Sequence, residues 1–110
     1  MKQFLVLYGM PAAAIEEMMK NSSPEEMKKG MDEWLKWQED HKANIPVLGA
    51  PVGKNKRINK DGVVDMRNEI GGYSVFAAES YEDVAKILAD SPHFQMPGTY
   101  VDVMELVEMK

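Results

Sequence analysis

Of the two histidines in this chain of 110 residues, His93 is the one placed for chemistry. It follows Pro92 in a predicted turn near the mouth of the fold, where an imidazole could bind a ligand or act as a general acid or base near neutral pH. In a catalytic role, we expect Arg67 or Lys54 to hold an anionic substrate. The alternative is that His93 bonds the backbone and ends the preceding helix. His41, near the C-terminal end of another predicted helix, is explained by the helix dipole, which favours a cation there.

Aromatic side chains offer the walls of a pocket for a small molecule. Trp34 and Trp37 could line an apolar pocket between a helix and the sheet, or they could belong to the core, which their helical spacing favours. Tyr8 ends a strand beside a glycine, so its hydroxyl either faces the pocket or reaches for water. Lys54 belongs to a basic loop that either holds an anionic metabolite or is simply solvated. The predicted ligand-binding residues are therefore Tyr8, Trp34, Trp37, Lys54, Arg67 and His93.

Composition and motifs exclude several other kinds of chemistry. The chain has no cysteine, and its two histidines and scattered carboxylates lack metal-ligand spacing, so we predict no metal and no cofactor. We find no glycine-rich phosphate loop and no serine or cysteine nucleophile motif. The net charge of −5 argues against nucleic acid or an anionic membrane as a partner. The N-terminal apolar run is too short for a signal segment or a membrane span, so we expect a cytoplasmic protein.

The elements that position these residues can be predicted from periodicity and caps. Strong helix starts are indicated where Ser23 precedes Pro24 and where Ser80 precedes two acidic residues. The helix after Ser23 has an apolar side that we expect to pack on the sheet, with Gly30 at a close contact. We predict strands over 4–8, 45–52, 73–78 and 100–107, and helices over 12–20 and 24–43 and after residue 80. Loop or irregular edge is predicted over 53–57 and 63–69, with a turn over 60–62. That apolar side comprises Met27, Met31, Trp34, Leu35 and Gln38.

The order of these elements predicts one α+β domain over residues 1–110. Two strand–helix–strand units give the ferredoxin-like βαββαβ sandwich, a four-stranded antiparallel sheet with its helices on one face. The first strand is apolar on both sides, with Phe4 and Val6 on one and Leu5 and Leu7 on the other. Because an uncovered second face would be a large apolar patch, we predict a homodimer that packs sheet to sheet.

Several motifs in order resemble the YCII-related (DGPF-domain) family of small bacterial proteins. This resemblance implies a dimeric α/β barrel of ferredoxin-like units and extends over essentially the whole chain. The matching segments are Phe4-Leu-Val-Leu-Tyr8, Ser23-Pro-Glu-Glu with Trp34-Leu-Lys-Trp37, Leu48-Gly-Ala-Pro51, Gly71-Gly-Tyr73, Glu79-Ser80, Ser91-Pro-His93 and Met96-Pro-Gly98.

Departures from the family limit what the resemblance implies about function. The Asp-Gly-Pro-Phe motif is half present, as Asp61-Gly62 followed by two valines. Family members with proposed acid/base chemistry pair a histidine early in the first long helix with an aspartate further on. At the position of that histidine this chain has Glu25 and Glu26. That catalytic pair is therefore not carried over. We predict a homodimer that binds a small metabolite between helix and sheet. The alternatives are a lyase- or isomerase-type enzyme with His93 as general base, and a non-catalytic protein-interaction domain.

Overall fold

The computed structural model describes residues 1–109, except for the side chains of Met18 and Met19. Within these residues, no helix combines the length and the apolar character needed to cross a membrane. The strands are β1 (Lys2–Gly9), β2 (Val47–Pro51), β3 (Lys56–Asn59), β4 (Gly62–Asp65), β5 (Ile70–Ala78) and β6 (Tyr100–Glu105). The helices are α1 (Ala12–Asn21), α2 (Pro24–Asp40) and α3 (Tyr81–Leu88), with short 3₁₀ turns over Lys42–Asn44 and Pro92–Gln95.

Four of the strands form the predicted antiparallel sheet, in the order β2-β5-β1-β6. This order, with α2 between β1 and β2 and α3 between β5 and β6, is the ferredoxin-like arrangement. Both predicted helix caps are confirmed, since the Ser23 and Ser80 hydroxyls accept hydrogen bonds from backbone N–H groups in the first turn. The second helix was predicted to reach residue 43 but ends at Asp40, where the chain tightens into the first 3₁₀ turn.

The core lies between the sheet and the two helices α2 and α3. The β1 residues Phe4 and Val6 are fully buried, and so is Phe76 on the neighbouring strand β5. Trp37 of α2 and Leu88 of α3 cover them. The predicted alternation of β1 is therefore confirmed, and β5 likewise has one face in the core.

The opposite face of the sheet carries an apolar row that crosses all four strands. Val47 of β2 pairs with Val75 of β5, Val75 pairs with Leu5 of β1, and Leu5 pairs with Met104 of β6. Paired residues of antiparallel strands share a face. We call this row, together with Leu7, the open sheet face, because no helix within residues 1–109 covers it and Val47 and Met104 are exposed.

A β-hairpin formed by β3 and β4 was not predicted. The sequence indicated a turn around Asp61 and Gly62 but only loop or irregular edge on either side. The structure pairs Ile58 with Val63 and Arg57 with Val64 in a separate two-stranded sheet. The strands are only four residues long and mix charged with apolar side chains, so they lack a clear period of two.

The chain is less compact than a typical folded monomer of the same mass. Its radius of gyration is 15.3 Å, against about 13 Å for a folded chain of this length. It exposes 7977 Å², whereas a folded monomer of this mass exposes roughly 6,100 Å². The excess of about 1,800 Å² reflects the hairpin, the open sheet face and the large cavity described next.

Candidate functional site

A cavity of about 1150 Å³ lies between α2, the β2 edge of the sheet and the turn that carries His93. One of its walls is the apolar side of α2, where Met27, Met31 and Leu35 are 47–61% exposed. This corrects the expectation that the whole apolar side of α2 packs on the sheet. Gly30 also faces open space instead of the close contact expected, because nothing lies within 4 Å of a Cβ built there.

Three aromatic side chains meet at the inner end of the cavity, and we call them the aromatic corner. The ring of Tyr8 lies edge-on to the ring of Trp34, with centroids 4.9 Å apart, and edge-on to His93 at 5.5 Å. Trp34 and His93 are 6.4 Å apart. Such edge-to-face contacts hold the rings in fixed relative orientations. The corner therefore offers a preformed apolar surface next to one ionisable ring.

The backbone fixes the orientation of the His93 ring. Its Nε2 lies 2.9 Å from the Gly9 carbonyl oxygen and 3.0 Å from the Tyr100 carbonyl oxygen. Carbonyl oxygens only accept hydrogen bonds, so Nε2 must carry the proton and donate it. Nδ1 has no partner among residues 1–109 and is not sealed from solvent. In the neutral ring, Nδ1 therefore has its lone pair available, as an acceptor or a base.

A chain of buried polar groups lies beneath the aromatic corner. The Tyr8 hydroxyl donates to the Ser74 hydroxyl at 3.0 Å, and Ser74 donates to the Leu48 carbonyl oxygen at 2.8 Å. Gln38 Nε2 also donates to this oxygen, at 3.2 Å. Burial raises the pKa of Tyr8 to about 12, although the hydrogen bond to Ser74 acts in the opposite direction. The Tyr8 hydroxyl is therefore neutral, and its proton is already donated to Ser74. Tyr8 contributes its ring to the cavity.

A β-bulge in β2 places the Leu48 carbonyl in this chain of hydrogen bonds. Val47 pairs with Val75 but Ala50 pairs with Tyr73, so β2 has one residue more than β5 between these pairs. The bulge requires Gly49, whose φ of +77° is in the left-handed region that favours glycine. A Cβ at this position would also overlap the Tyr73 carbonyl group.

The rim of the cavity carries charges of both signs. Arg67 is 3.3 Å from Glu16 of α1, so one of the two predicted cations is shared with a carboxylate. Lys54 is exposed and forms no ion pair within residues 1–109. Glu26 and Glu33 of α2 lie on the same rim. An anionic group on a ligand would therefore meet Lys54 more readily than Arg67.

Trp37 does not line the cavity, in contrast to the prediction. It is 5% exposed in the core, and its indole N–H donates to Asp90 at 3.0 Å. His41 Nε2 lies 3.3 Å from the same carboxylate. The hydrogen bond from Trp37, followed by the bond and charge of His41, holds the pKa of Asp90 below its usual value. The contacts of Trp37 and His41 with Asp90 connect the end of α2 to the end of α3. Neither His41 nor Asp90 lines the cavity.

The other predicted residues are brought together by the fold. Tyr8, Trp34, Lys54, Arg67 and His93 all line the one large cavity. Sequence reasoning missed Ser74 and the carbonyl groups that orient His93. No group of three or more histidine or acidic residues close enough to hold a metal ion was found within residues 1–109.

A second, shallower cavity of about 370 Å³ lies beside α1. Its lining residues are Ala14, Glu17, Asn21, Met96 and Pro97. Glu17 is the single ionisable side chain in this lining, so we do not associate chemistry with it.

Comparison with known proteins gives one informative neighbour. No family model and no curated protein matches the chain. A solved structure with a similar fold is 5-chloro-2-hydroxyhydroquinone dehydrochlorinase (TftG) from Burkholderia phenoliruptrix, in complex with 2,5-dihydroxybenzoquinone. The match has a TM-score of 0.52 and 19% identity, and it covers 91% of this chain and 90% of that chain. This likeness shows the ferredoxin-like α/β fold. Membership of this chain in the YCII-related family stays a prediction.

Proposed function

We propose that this protein binds a small, flat, cyclic metabolite in the large cavity, with the ring against the aromatic corner. The observation that carries the proposal is the fixed orientation of His93 in that corner. Its Nε2 proton is used by two carbonyl oxygens, so Nδ1 is left to accept a hydrogen bond from a ligand hydroxyl. Trp34 and Tyr8 supply apolar ring faces beside this acceptor.

The rim adds a preference for a ligand with an anionic group. Of the two residues Lys54 and Arg67 on the cavity rim, Lys54 is the one that forms no ion pair within residues 1–109. A hydroxylated ring with a carboxylate or an ionised oxygen would satisfy His93 and Lys54 together. TftG, which shares the fold, was solved with a ligand of this general kind, a hydroxylated quinone.

We also propose that the protein is a homodimer in which two open sheet faces pack together. The row Val47–Val75–Leu5–Met104 gives each copy a continuous apolar surface across four strands. A face-to-face pair of sheets is a common way to cover such a surface. The excess exposed area of about 1,800 Å² exceeds the roughly 800 Å² per partner that a standard interface buries.

Calorimetric titration with a cyclic probe panel tests the binding proposal. The panel consists of 2,5-dihydroxybenzoquinone, para-hydroxybenzoate, benzoate and cyclohexanecarboxylate. We expect para-hydroxybenzoate to bind about fivefold more tightly than benzoate, because one additional hydrogen bond contributes about 1 kcal/mol. His93→Ala should abolish this preference. His41→Ala is the matched control, since it removes a histidine outside the cavity and should leave the preference unchanged.

Two results would contradict the binding proposal. If no panel member binds the wild type, the protein-interaction domain becomes the better interpretation. If para-hydroxybenzoate keeps its advantage in His93→Ala, the hydroxyl is recognised somewhere other than at Nδ1.

The same fixed tautomer favours the alternative function, a lyase- or isomerase-type enzyme with His93 as general base. A catalytic histidine needs a partner that orients its ring, and the sequence offered no carboxylate for that role. The carbonyl oxygens of Gly9 and Tyr100 provide the orientation instead. Nδ1 is then the atom that would take a proton from a carbon next to a carbonyl group.

Proton exchange in D₂O separates catalysis from binding. His93→Gln keeps an N–H donor for the two carbonyl oxygens but has no basic nitrogen. For a bound probe with a C–H next to a carbonyl, we expect the wild type to catalyse exchange and His93→Gln to lose it while still binding. Equal exchange rates in the two proteins, or a rate that is flat between about pH 5 and 8, would exclude His93 as the base.

A further inference from the structure

The hairpin formed by β3 and β4 is an apolar element without a partner in its own chain. Ile58 and Val63 are paired on one face and are 76% and 58% exposed. Val64, on the other face, is 51% exposed. An isolated two-stranded hairpin is only marginally stable in water, so a hairpin with this much exposed apolar surface needs cover. We call residues 56–65 the arm.

The apolar side of α2 is a second surface without a partner. Met27, Met31 and Leu35 follow one another at intervals of four residues and lie on one side of the helix. All three are exposed and line the mouth of the large cavity. The arm of the same chain does not cover them, since Ile58 and Val63 at its end remain exposed.

Charge makes the two surfaces complementary. The arm carries three cations, Lys56, Arg57 and Lys60, against Asp61 and Asp65, a net charge of +1, and Asp65 is paired with Lys56 at 2.6 Å. The helix α2 carries six carboxylates and three lysines, a net charge of −3. Glu26 and Glu33 lie on the cavity rim, next to the exposed methionines. Opposite charges around apolar surfaces favour association and fix its orientation.

The exposed area also indicates more than one contact per chain. The excess of about 1,800 Å² is roughly twice the 800 Å² that one standard interface buries on each partner. The cavity of about 1150 Å³ is larger than a single-ring ligand needs, since sites for drug-sized ligands measure roughly 300–1,000 Å³. Its mouth therefore has room for a protein element as well as a ligand.

We propose that the arm of one copy of this protein packs on α2 of a second copy, over the mouth of that copy's cavity. Ile58 and Val63 then lie on Met27 and Met31, and Lys60, in the turn at the tip of the arm, faces Glu33. Two copies related by a two-fold axis exchange arms reciprocally. This contact is separate from the pairing of open sheet faces, because α2 lies on the opposite side of the sheet. It does not depend on which molecule the cavity binds.

Site-specific cross-linking tests the proposal, because the chain has no cysteine of its own. Two differently tagged chains, Ile58→Cys and Met31→Cys, are co-expressed and treated with a short bismaleimide. The matched control replaces Met31→Cys by Ala85→Cys, an exposed position on α3. We expect at least about tenfold more cross-linked heterodimer from the first pair, since docking raises the effective concentration of the two thiols.

Charge reversal adds a test of orientation. Lys60→Glu in the Ile58→Cys chain should reduce the cross-link several-fold, and Glu33→Lys in the Met31→Cys chain should restore it. Equal yields from the Met31→Cys and Ala85→Cys pairs would overturn the proposal. An Ile58–Met31 cross-link that forms only within a doubly substituted chain would also overturn it, because the arm would then cover its own helix. Thermal unfolding of each variant confirms that these exposed substitutions leave the fold intact.

Discussion

Replacing Gly49 by alanine is a sharp test of how the cavity is built. Gly49 is the residue of the β2 bulge that has a φ of +77°. A Cβ there would lie 2.7 Å from the Tyr73 carbonyl carbon and closer still to its oxygen. Since the obstacle is backbone, β2 must move away from β5 to accommodate the methyl group. The Leu48 carbonyl would then lose its hydrogen bonds from Ser74 and Gln38.

The expected destabilisation follows from two contributions. An alanine in the left-handed region costs about 1–2 kcal/mol. The two hydrogen bonds to the Leu48 carbonyl contribute about 1 kcal/mol each. Together they lower the free energy of unfolding by about 3–4 kcal/mol, a large fraction of the 5–15 kcal/mol that is typical of a domain.

Urea unfolding of Gly49→Ala and a matched glycine variant measures this effect. Gly53→Ala is the control, because Gly53 has no positive φ and a Cβ there meets nothing within 4 Å. We expect Gly53→Ala to unfold within about 0.5 kcal/mol of wild type. If Gly49→Ala also remains within about 1 kcal/mol, the bulge does not hold the floor of the cavity as described.

Three further predictions concern pH and assembly. Burial raises the pKa of Tyr8 from 10.0 to about 12, so its contribution is complete below pH 10 and disappears as pH rises towards 12. The free energy of unfolding should fall by about 2 kcal/mol more in wild type than in Tyr8→Phe between pH 10 and 12. Asp90 has a pKa below the usual 3.8. As the pH falls below 3.8, Asp90→Asn should therefore lose less stability than wild type, which acid unfolding of the two proteins measures. Leu5→Glu, on the open sheet face, should break the sheet-to-sheet contact and lower the mass that light scattering measures at micromolar concentration, whereas Ala85→Glu on α3 should leave this mass unchanged. A wild-type monomer would contradict the pairing of sheet faces.

Much of the fold could be predicted because its signals are local. Ser23 and Ser80 marked the helix starts, and the alternation of β1 assigned Phe4 and Leu5 to opposite faces of the sheet. The hairpin could not be predicted in the same way. The turn at Asp61 and Gly62 was recognised, but four-residue strands with mixed side chains carry too little period to be distinguished from loop.

The site was predicted less completely, for a different physical reason. Hydrophobic periodicity shows that one side of α2 is apolar, but it does not show what covers that side. Met27 and Met31 were therefore assigned to packing on the sheet, although they line the cavity. His93 was identified from its turn, but its partners are backbone carbonyl groups. Every residue has such a group, so no pattern of side chains reveals which carbonyls will orient a ring.

Methyl NMR of methionine tests the central claim, that a cyclic ligand binds in the cavity between α2 and the sheet. Five methionines line the cavity, Met10, Met27, Met31, Met66 and Met96, whereas Met104 lies on the open sheet face and Met109 near the C-terminus. With ¹³C-methyl-labelled methionine, addition of the tightest-binding member of the cyclic probe panel should shift signals of the cavity methionines. The signals of Met104 and Met109 should not move. Shifts confined to Met104, or no shift with any member of the panel, would contradict the account.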